Sequence, residues 1–165
     1  MPVLGLYHRK YFSMELDDID KKLLFLLQKD AKQTHKELSI RLGLSVTAIF
    51  ERIKKLEKAK VIRKYAAIVD KNMVDRGFVV FCHVKLLQHT KDFVLNFENE
   101  ILKLDEVLEC YHISGDYDYI LKILVKDMQA YREFMVTKLT SISHIGSTHS
   151  IFMIGELKNS TVINF

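Results

Sequence analysis

The sequence predicts an α+β chain, with an N-terminal winged helix-turn-helix unit followed by a C-terminal ferredoxin-like βαββαβ unit. Three observations carry that prediction. Capped apolar stripes at helical spacing fill residues 17–58, strand-like alternation takes over from residue 78, and positive charge concentrates around the third helix. The expected layout is an N-terminal extension at 1–13, a helix-turn-helix at 14–61, a connecting strand and linker at 62–77, and the ferredoxin-like domain at 78–165.

The first helix follows Asp17 and Asp18. Ile19, Leu23, Leu26 and Leu27 form one apolar stripe, and the acids at its start suit the helix dipole. The pattern fades over 30–33. Thr34-His35-Lys36-Glu37 then spells a capping box, with Leu38 and Leu42 facing inward. Gly43 ends this two-turn helix, because glycine enters the left-handed region without steric cost. Ser45 is a good N-cap for the third helix, whose Ile49, Ile53 and Leu56 face the core. Thr47, Glu51, Lys54 and Lys58 fall on the opposite side, with Phe50 at its edge.

A short capped helix, a glycine turn and a basic helix make a helix-turn-helix, whose second helix enters the DNA major groove. Net charge is +4, and its placement says more than its size. Residues 14–70 hold 13 basic and nine acidic side chains, whereas 71–165 hold ten and 12. Arg52, Lys54, Lys55, Lys58, Lys60, Arg63 and Lys64 crowd one short segment against only Glu51 and Glu57. On charge alone a polyanion footprint and a solvated helix face fit equally well. Caps, turn and charge asymmetry together favour DNA over a plain three-helix bundle. The expected DNA-contact set is Ser45, Thr47, Phe50, Glu51, Arg52, Lys54, Lys55 and Lys58. Ser45 and Thr47 lie nearest base edges, and the lysines nearer phosphates.

Residues 61–70 are rich in β-formers and predict an extended strand, either a wing or a strand paired between subunits. Residues 70–77 are polar and read as a linker. Residues 78–87 alternate, with Phe78, Val80, Cys82, Val84 and Leu86 on one face. Thr90 can cap a helix carrying Phe93, Phe97, Ile101 and Leu104. Strands are expected at 107–114 and 117–125, joined by a tight hairpin at Gly115-Asp116. Asp127 begins a helix with Met128, Tyr131, Met135 and Leu139 on one side, and 145–158 closes as an extended run. Two helices cover one face of such a sheet, so the apolar part of the other face needs a partner, most simply a second copy of the chain.

These residues resemble the Lrp/AsnC family of prokaryotic regulators over nearly all of 14–158. The resemblance rests on Leu16-Asp17-Asp18-Ile19-Asp20, Leu42-Gly43-Leu44-Ser45, Glu51-Arg52-Ile53-Lys54-Lys55-Leu56-Glu57, Val61-Ile62, and Gly115-Asp116-Tyr117-Asp118-Tyr119. It implies a C-terminal RAM-type domain that dimerises, often builds octamers or other even-numbered rings, and binds amino acids between neighbouring dimers. The implied effector residues are Ser114, Gly115, Asp116, Tyr117, Asp118, Thr148 and Ser150. Without the resemblance, glycine and aspartate at 115–118 merely make a turn. The chain departs from the family at Lys60, where glycine is common, at Ser150, where threonine is frequent, and in residues 1–13, which exceed the usual start.

Together these features predict a sequence-specific DNA-binding transcription regulator answering to an amino acid or similar small effector. The alternative is an effector-independent architectural DNA-binding protein. No enzyme is expected, because nucleophile-elbow, phosphate-cradling and cysteine-nucleophile patterns are missing. No cofactor or metal is expected either. The seven histidines show no helical His-x-x-x-His pair, and Cys82 and Cys110 sit in apolar runs as buried free thiols, consistent with a reducing cytoplasm. Residues are 48% hydrophobic and 28% charged, as in a globular protein. No apolar run reaches the roughly 18 residues of a membrane span, and 1–13 lack the apolar core of a signal peptide.

Overall fold

The computed structural model describes residues 14–165, so the predicted extension at 1–13 lies outside the described residues. The described chain divides into two compact units. One holds residues 14–68 together with Leu157–Phe165, the other Val69–Glu156. The tail was expected with the second domain. It joins the first because the Gln28 side chain brackets its backbone, donating to the Ile163 carbonyl at 3.1 Å and accepting from the Ile163 amide at 2.7 Å.

The first unit contains α1 (Asp18–Lys29), α2 (His35–Leu42) and α3 (Val46–Lys58). Their apolar stripes meet in a core of Leu23, Leu24, Leu27, Leu38, Ile49, Ile53 and Leu56. Each helix start is satisfied by a side chain, since Asp17, Thr34 and Ser45 accept from the amides of Asp20, Glu37 and Ala48. The capping box is complete, with the Glu37 carboxylate accepting from the Thr34 amide at 2.7 Å. Gly43 closes α2 at φ +65°.

The strand expected at 61–70 does not form. Residues 63–70 are exposed and pair with no strand among the described residues. A strand is stable only against a neighbour that takes up its backbone groups, and no described residue pairs with this segment as one. Tyr65 instead donates to Glu57 Oε1 at 3.0 Å, and Ile62 packs on the helical core. The first unit therefore extends past residue 61.

The second unit runs β1 (Phe78–Leu86), α4 (Lys91–Ile101), β2 (Val107–His112), β3 (Tyr119–Val125), α5 (Met128–Phe134), a π-helical turn (Met135–Leu139) and β4 (Ile145–Phe152). The strands form one sheet in the order β2-β3-β1-β4, with every neighbouring pair antiparallel. This is the expected ferredoxin-like sandwich. Phe97 and Ile101 of α4, with Tyr131, Phe134 and Leu139 from the second helical segment, cover Val80, Cys82, Val84, Leu121 and Ile123. Cys82 is buried and Cys110 half-buried, both as free thiols.

Two element boundaries differ from expectation. β4 stops at Phe152, opposite Val80, rather than near 158, and a last bond from the Met153 amide to the Val79 carbonyl at 3.2 Å ends its pairing with β1. The β2–β3 connection spans residues 113–118 instead of a two-residue turn. It is closed by the Ile113 amide on the Asp118 carbonyl at 2.8 Å, and the Asp118 amide turns aside to Val84 at 2.9 Å.

Among the described residues, no helix covers the other face of the sheet. It presents Phe81 beside Ile151, and His83 beside His149. Tyr111 lies beside Ile120.

Candidate nucleic-acid interface and effector loop

The turn of α2, Gly43 and Ser45 fixes α3 so that Ile49, Ile53 and Leu56 point inward. Its outer side is then decided by periodicity. Thr47, Phe50, Glu51, Lys54, Lys55 and Lys58 are all exposed there. Ser45 is exposed too, but its hydroxyl already accepts from the Ala48 amide at 3.1 Å. The Lys54 ammonium sits 5.7 Å from the centre of the Phe50 ring, a cation–π distance, and the His35 ring meets Phe50 edge-on at 5.8 Å. Lys54, Lys55 and Lys58 enter no ion pair among the described residues, which leaves three cations on one helix face.

Arg52 does not belong to that face. Its guanidinium binds Asp17 Oδ2 at 2.8 Å and Asp20 Oδ1 at 2.5 Å. Asp20 is only 1% exposed, so this is a partly buried ion pair that ties α3 to the start of α1. The Asp20 amide and the Arg52 guanidinium hold the Asp17 carboxyl below its ordinary value, while the Asp17 and Asp20 carboxylates raise Arg52 further. The reading of Arg52 as a DNA contact gives way to a structural one. The sequence signal was present in two separate motifs, Asp17-Asp18-Ile19-Asp20 and Glu51-Arg52, but nothing in either named the other as its partner.

At the 113–118 loop the seven expected effector residues separate into groups. Ser114, Gly115 and Asp116 are exposed at the tip, and Gly115 takes φ +121° with nothing within 4 Å of where a Cβ would stand. Asp118 is a staple. Its Oδ2 accepts from the Leu86 amide at 2.8 Å and its Oδ1 contacts His89 Nε2 at 2.6 Å. Burial opposes its charge, but the Leu86 amide and the His89 ring outweigh that and hold the carboxyl below its usual range. With both oxygens occupied, Asp118 shapes the loop rather than offering a free carboxylate.

Tyr117 lies on the open sheet face, stacked on His83 at 5.0 Å and near His149 at 6.2 Å. Thr148 and Ser150 lie across from Val84 and Cys82, whose side chains are buried beneath the helices. Ser150 Oγ is 2.6 Å from the Tyr131 hydroxyl, so it is engaged with the helix layer and not with the loop. The His83–Tyr117–His149 stack was missed in the sequence, since it needs the β1–β4 register to bring His83 and His149 side by side. Among the described residues no group of three or more His, Cys, Asp or Glu side chains could hold a metal ion. No described helix is long and apolar enough to cross a membrane.

Family models also divide the chain in two, although the second of them runs on through the tail to residue 163. Residues 16–63 match a winged helix-turn-helix DNA-binding domain, and residues 79–163 match the Lrp/AsnC ligand binding domain. The chain is 36% identical over 146 residues to the leucine-responsive regulatory protein of Klebsiella pneumoniae, covering 88% of this chain and 89% of that relative. The leucine-responsive regulatory protein of Escherichia coli K12 matches to the same extent. Among solved structures, a transcriptional regulator from Neisseria meningitidis in complex with L-Met superposes with a TM-score of 0.87 at 34% identity, covering 90% of this chain and 96% of that one. An AsnC family regulator from Agrobacterium tumefaciens gives 0.85 at 32% identity over the same shares. Helix-turn-helix, ferredoxin-like sandwich and sequence likeness along almost the whole described chain converge, and the protein belongs to the Lrp/AsnC family of transcription regulators.

Proposed function

We propose that the protein binds operator DNA as a dimer or larger even-numbered assembly in the cytoplasm and changes its binding when an amino acid occupies the 114–116 tip of its loop. The observation that carries the DNA reading is the outer face of α3, where Lys54, Lys55 and Lys58 enter no ion pair among the described residues while Arg52 is taken up by Asp17 and Asp20. Thr47, Phe50 and Glu51 at the exposed start of the helix meet base edges, and the three lysines meet phosphates. The open face of the sheet, with Phe81, His83, Tyr111 and Ile151, seats the second copy. The unpaired extended segment 63–70 is then available to bond with its counterpart. Support for an amino-acid effector comes from the L-Met held by the Neisseria relative and from the exposed glycine tip here.

The test is a mobility shift on the protein's own promoter region across a salt series. For every phosphate that a lysine no longer neutralises, the slope of log affinity against log salt falls by about 1. Lys54→Ala, Lys55→Ala and Lys58→Ala should each show that fall on every sequence, whereas Thr47→Ala should alter which sequence is preferred. Salt-insensitive retention, or unchanged slopes in all three lysine variants, would remove α3 as the DNA-facing helix.

A further inference from the structure

The exposed side of α3 is not uniformly polar. Val46 and Phe50 stand one turn apart on it, at positions i and i+4. They are 47% and 45% exposed. Neither belongs to the core of the helical unit or to the side chains packed against that core. The Phe50 ring is nonetheless held in place. The His35 ring, from the first residue of α2, meets it edge-on at 5.8 Å. The Lys54 ammonium lies 5.7 Å from its centre. A ring braced from two helices gives up little freedom when a partner covers it.

The occupant follows from the charge around this patch and from what a phenyl ring can recognise. Lys54 beside the ring, and Lys55 and Lys58 further along α3, enter no ion pair among the described residues. A partner seated on Phe50 therefore brings negative charge past three cations. Thr47 and Glu51, both exposed, add hydrogen-bonding groups next to it. A DNA duplex meets both demands, with phosphates for the lysines and base edges for Thr47 and Glu51. Phe50 has neither donor nor acceptor in its side chain, so the hydrogen-bonding pattern of the bases is invisible to it. The apolar group that the major groove does present is the C5-methyl of a 5-methylpyrimidine, which in unmodified DNA is thymine.

We propose that Phe50 is a specificity-determining residue that reads the C5-methyl of a thymine in the major groove. The inference rests on α3 being the DNA-facing helix and names the group that Phe50 touches there. Mobility shifts with the full-length protein test it, at one fixed salt concentration, on the shortest retarded fragment of its own promoter region. Each thymine is replaced in turn by deoxyuridine, which lacks only the methyl. At one or more positions the replacement should weaken wild-type binding about fourfold, the value of one buried methyl. Phe50→Ala should bind the thymine and deoxyuridine forms alike. If circular dichroism shows Phe50→Ala to be misfolded, Phe50→Gln replaces it, with the same expectation. At the sensitive position, 5-methylcytosine should bind the wild type more tightly than cytosine does, and the variant should not distinguish the two. This arm separates the methyl from the thymine O4. Retardation with no sensitive thymine overturns the proposal and leaves α3 as the DNA-facing helix. Equal deoxyuridine losses in wild type and variant overturn it too, because another side chain or the shape of the DNA then senses the methyl. So does a deoxyuridine loss with no gain from 5-methylcytosine. No retardation of any fragment removes the DNA reading itself, and this inference with it.

Discussion

Lys60 stands where a helix ends and a glycine would be at ease. Its φ is +59°. Its amide donates to the Glu57 carbonyl at 3.0 Å, and the next amide, Val61, reaches back to Leu56 at 3.0 Å, the two bonds of a Schellman cap. A left-handed L-residue costs roughly 1–2 kcal/mol, and glycine returns about 0.4–1 kcal/mol of that by loosening the unfolded chain. Lys60→Gly should therefore stabilise the protein by about 0.5–1 kcal/mol, read as a higher urea midpoint at unchanged slope. An unchanged or lower midpoint would mean that Lys60 makes a compensating interaction. In the second unit Asp118 gives a pH prediction. Its folded carboxyl is depressed below its ordinary value of 3.8, so the stability it contributes is complete above that value and is lost as pH falls through the lower, folded one. Asp118→Asn should be less stable than wild type at neutral pH, and the gap should close in acid unfolding curves below about pH 4. A gap that stays constant down to about pH 2 would show that the charge of Asp118 is not what holds the loop.

Elements are joined by a few such groups, and Arg52 joins two of them. Arg52→Ala leaves Asp20 buried without its cation, and removing one partner of a buried pair costs about 3–5 kcal/mol. The cost here belongs near the lower bound, about 3 kcal/mol, because Arg52 itself is partly exposed. Urea unfolding should register that loss, while the salt slope of DNA binding should stay as in wild type; a lowered slope with unchanged stability would return Arg52 to the DNA face. The same pair shows what could be read from the sequence. Helices announced themselves through local signals, such as Thr34 with Glu37 for the start of α2 and Gly43 for its end, because the groups that satisfy a helix end lie within four residues of it. The outer face of α3 followed from periodicity alone. The strand at 61–70 was misread because β-forming residues state a preference, while a ladder needs a neighbour that the segment itself does not contain. Around the 113–118 loop, the partners of Asp118 are Leu86 and His89, and that of Ser150 is Tyr131, all distant in sequence, so neither role was legible locally.

At the scale of the whole molecule, the proposed seat of a second copy on the open sheet face would set how two recognition helices reach one operator. Phe81, Ile120 and Ile151 stand on it across three strands, with the His83–Tyr117–His149 stack between them and the loop. Standard interfaces bury roughly 800 Å² per partner, and this is the face of the sheet that the two helices leave open. Ile151 is 42% exposed in the single chain, so a lysine there is accommodated in a monomer but must be desolvated in a dimer, twice over by symmetry. Ile151→Lys should weaken dimerisation on the order of 3 kcal/mol, about a hundredfold, seen as a shift to single-chain mass in sedimentation equilibrium at micromolar protein. The helical unit has its own core around Leu23, Leu38 and Ile49, and binding to a single half-site should persist while affinity for paired half-sites falls. If the variant sediments with the wild-type mass, the second copy does not sit on this face, and the pairing of half-sites must be achieved through another surface.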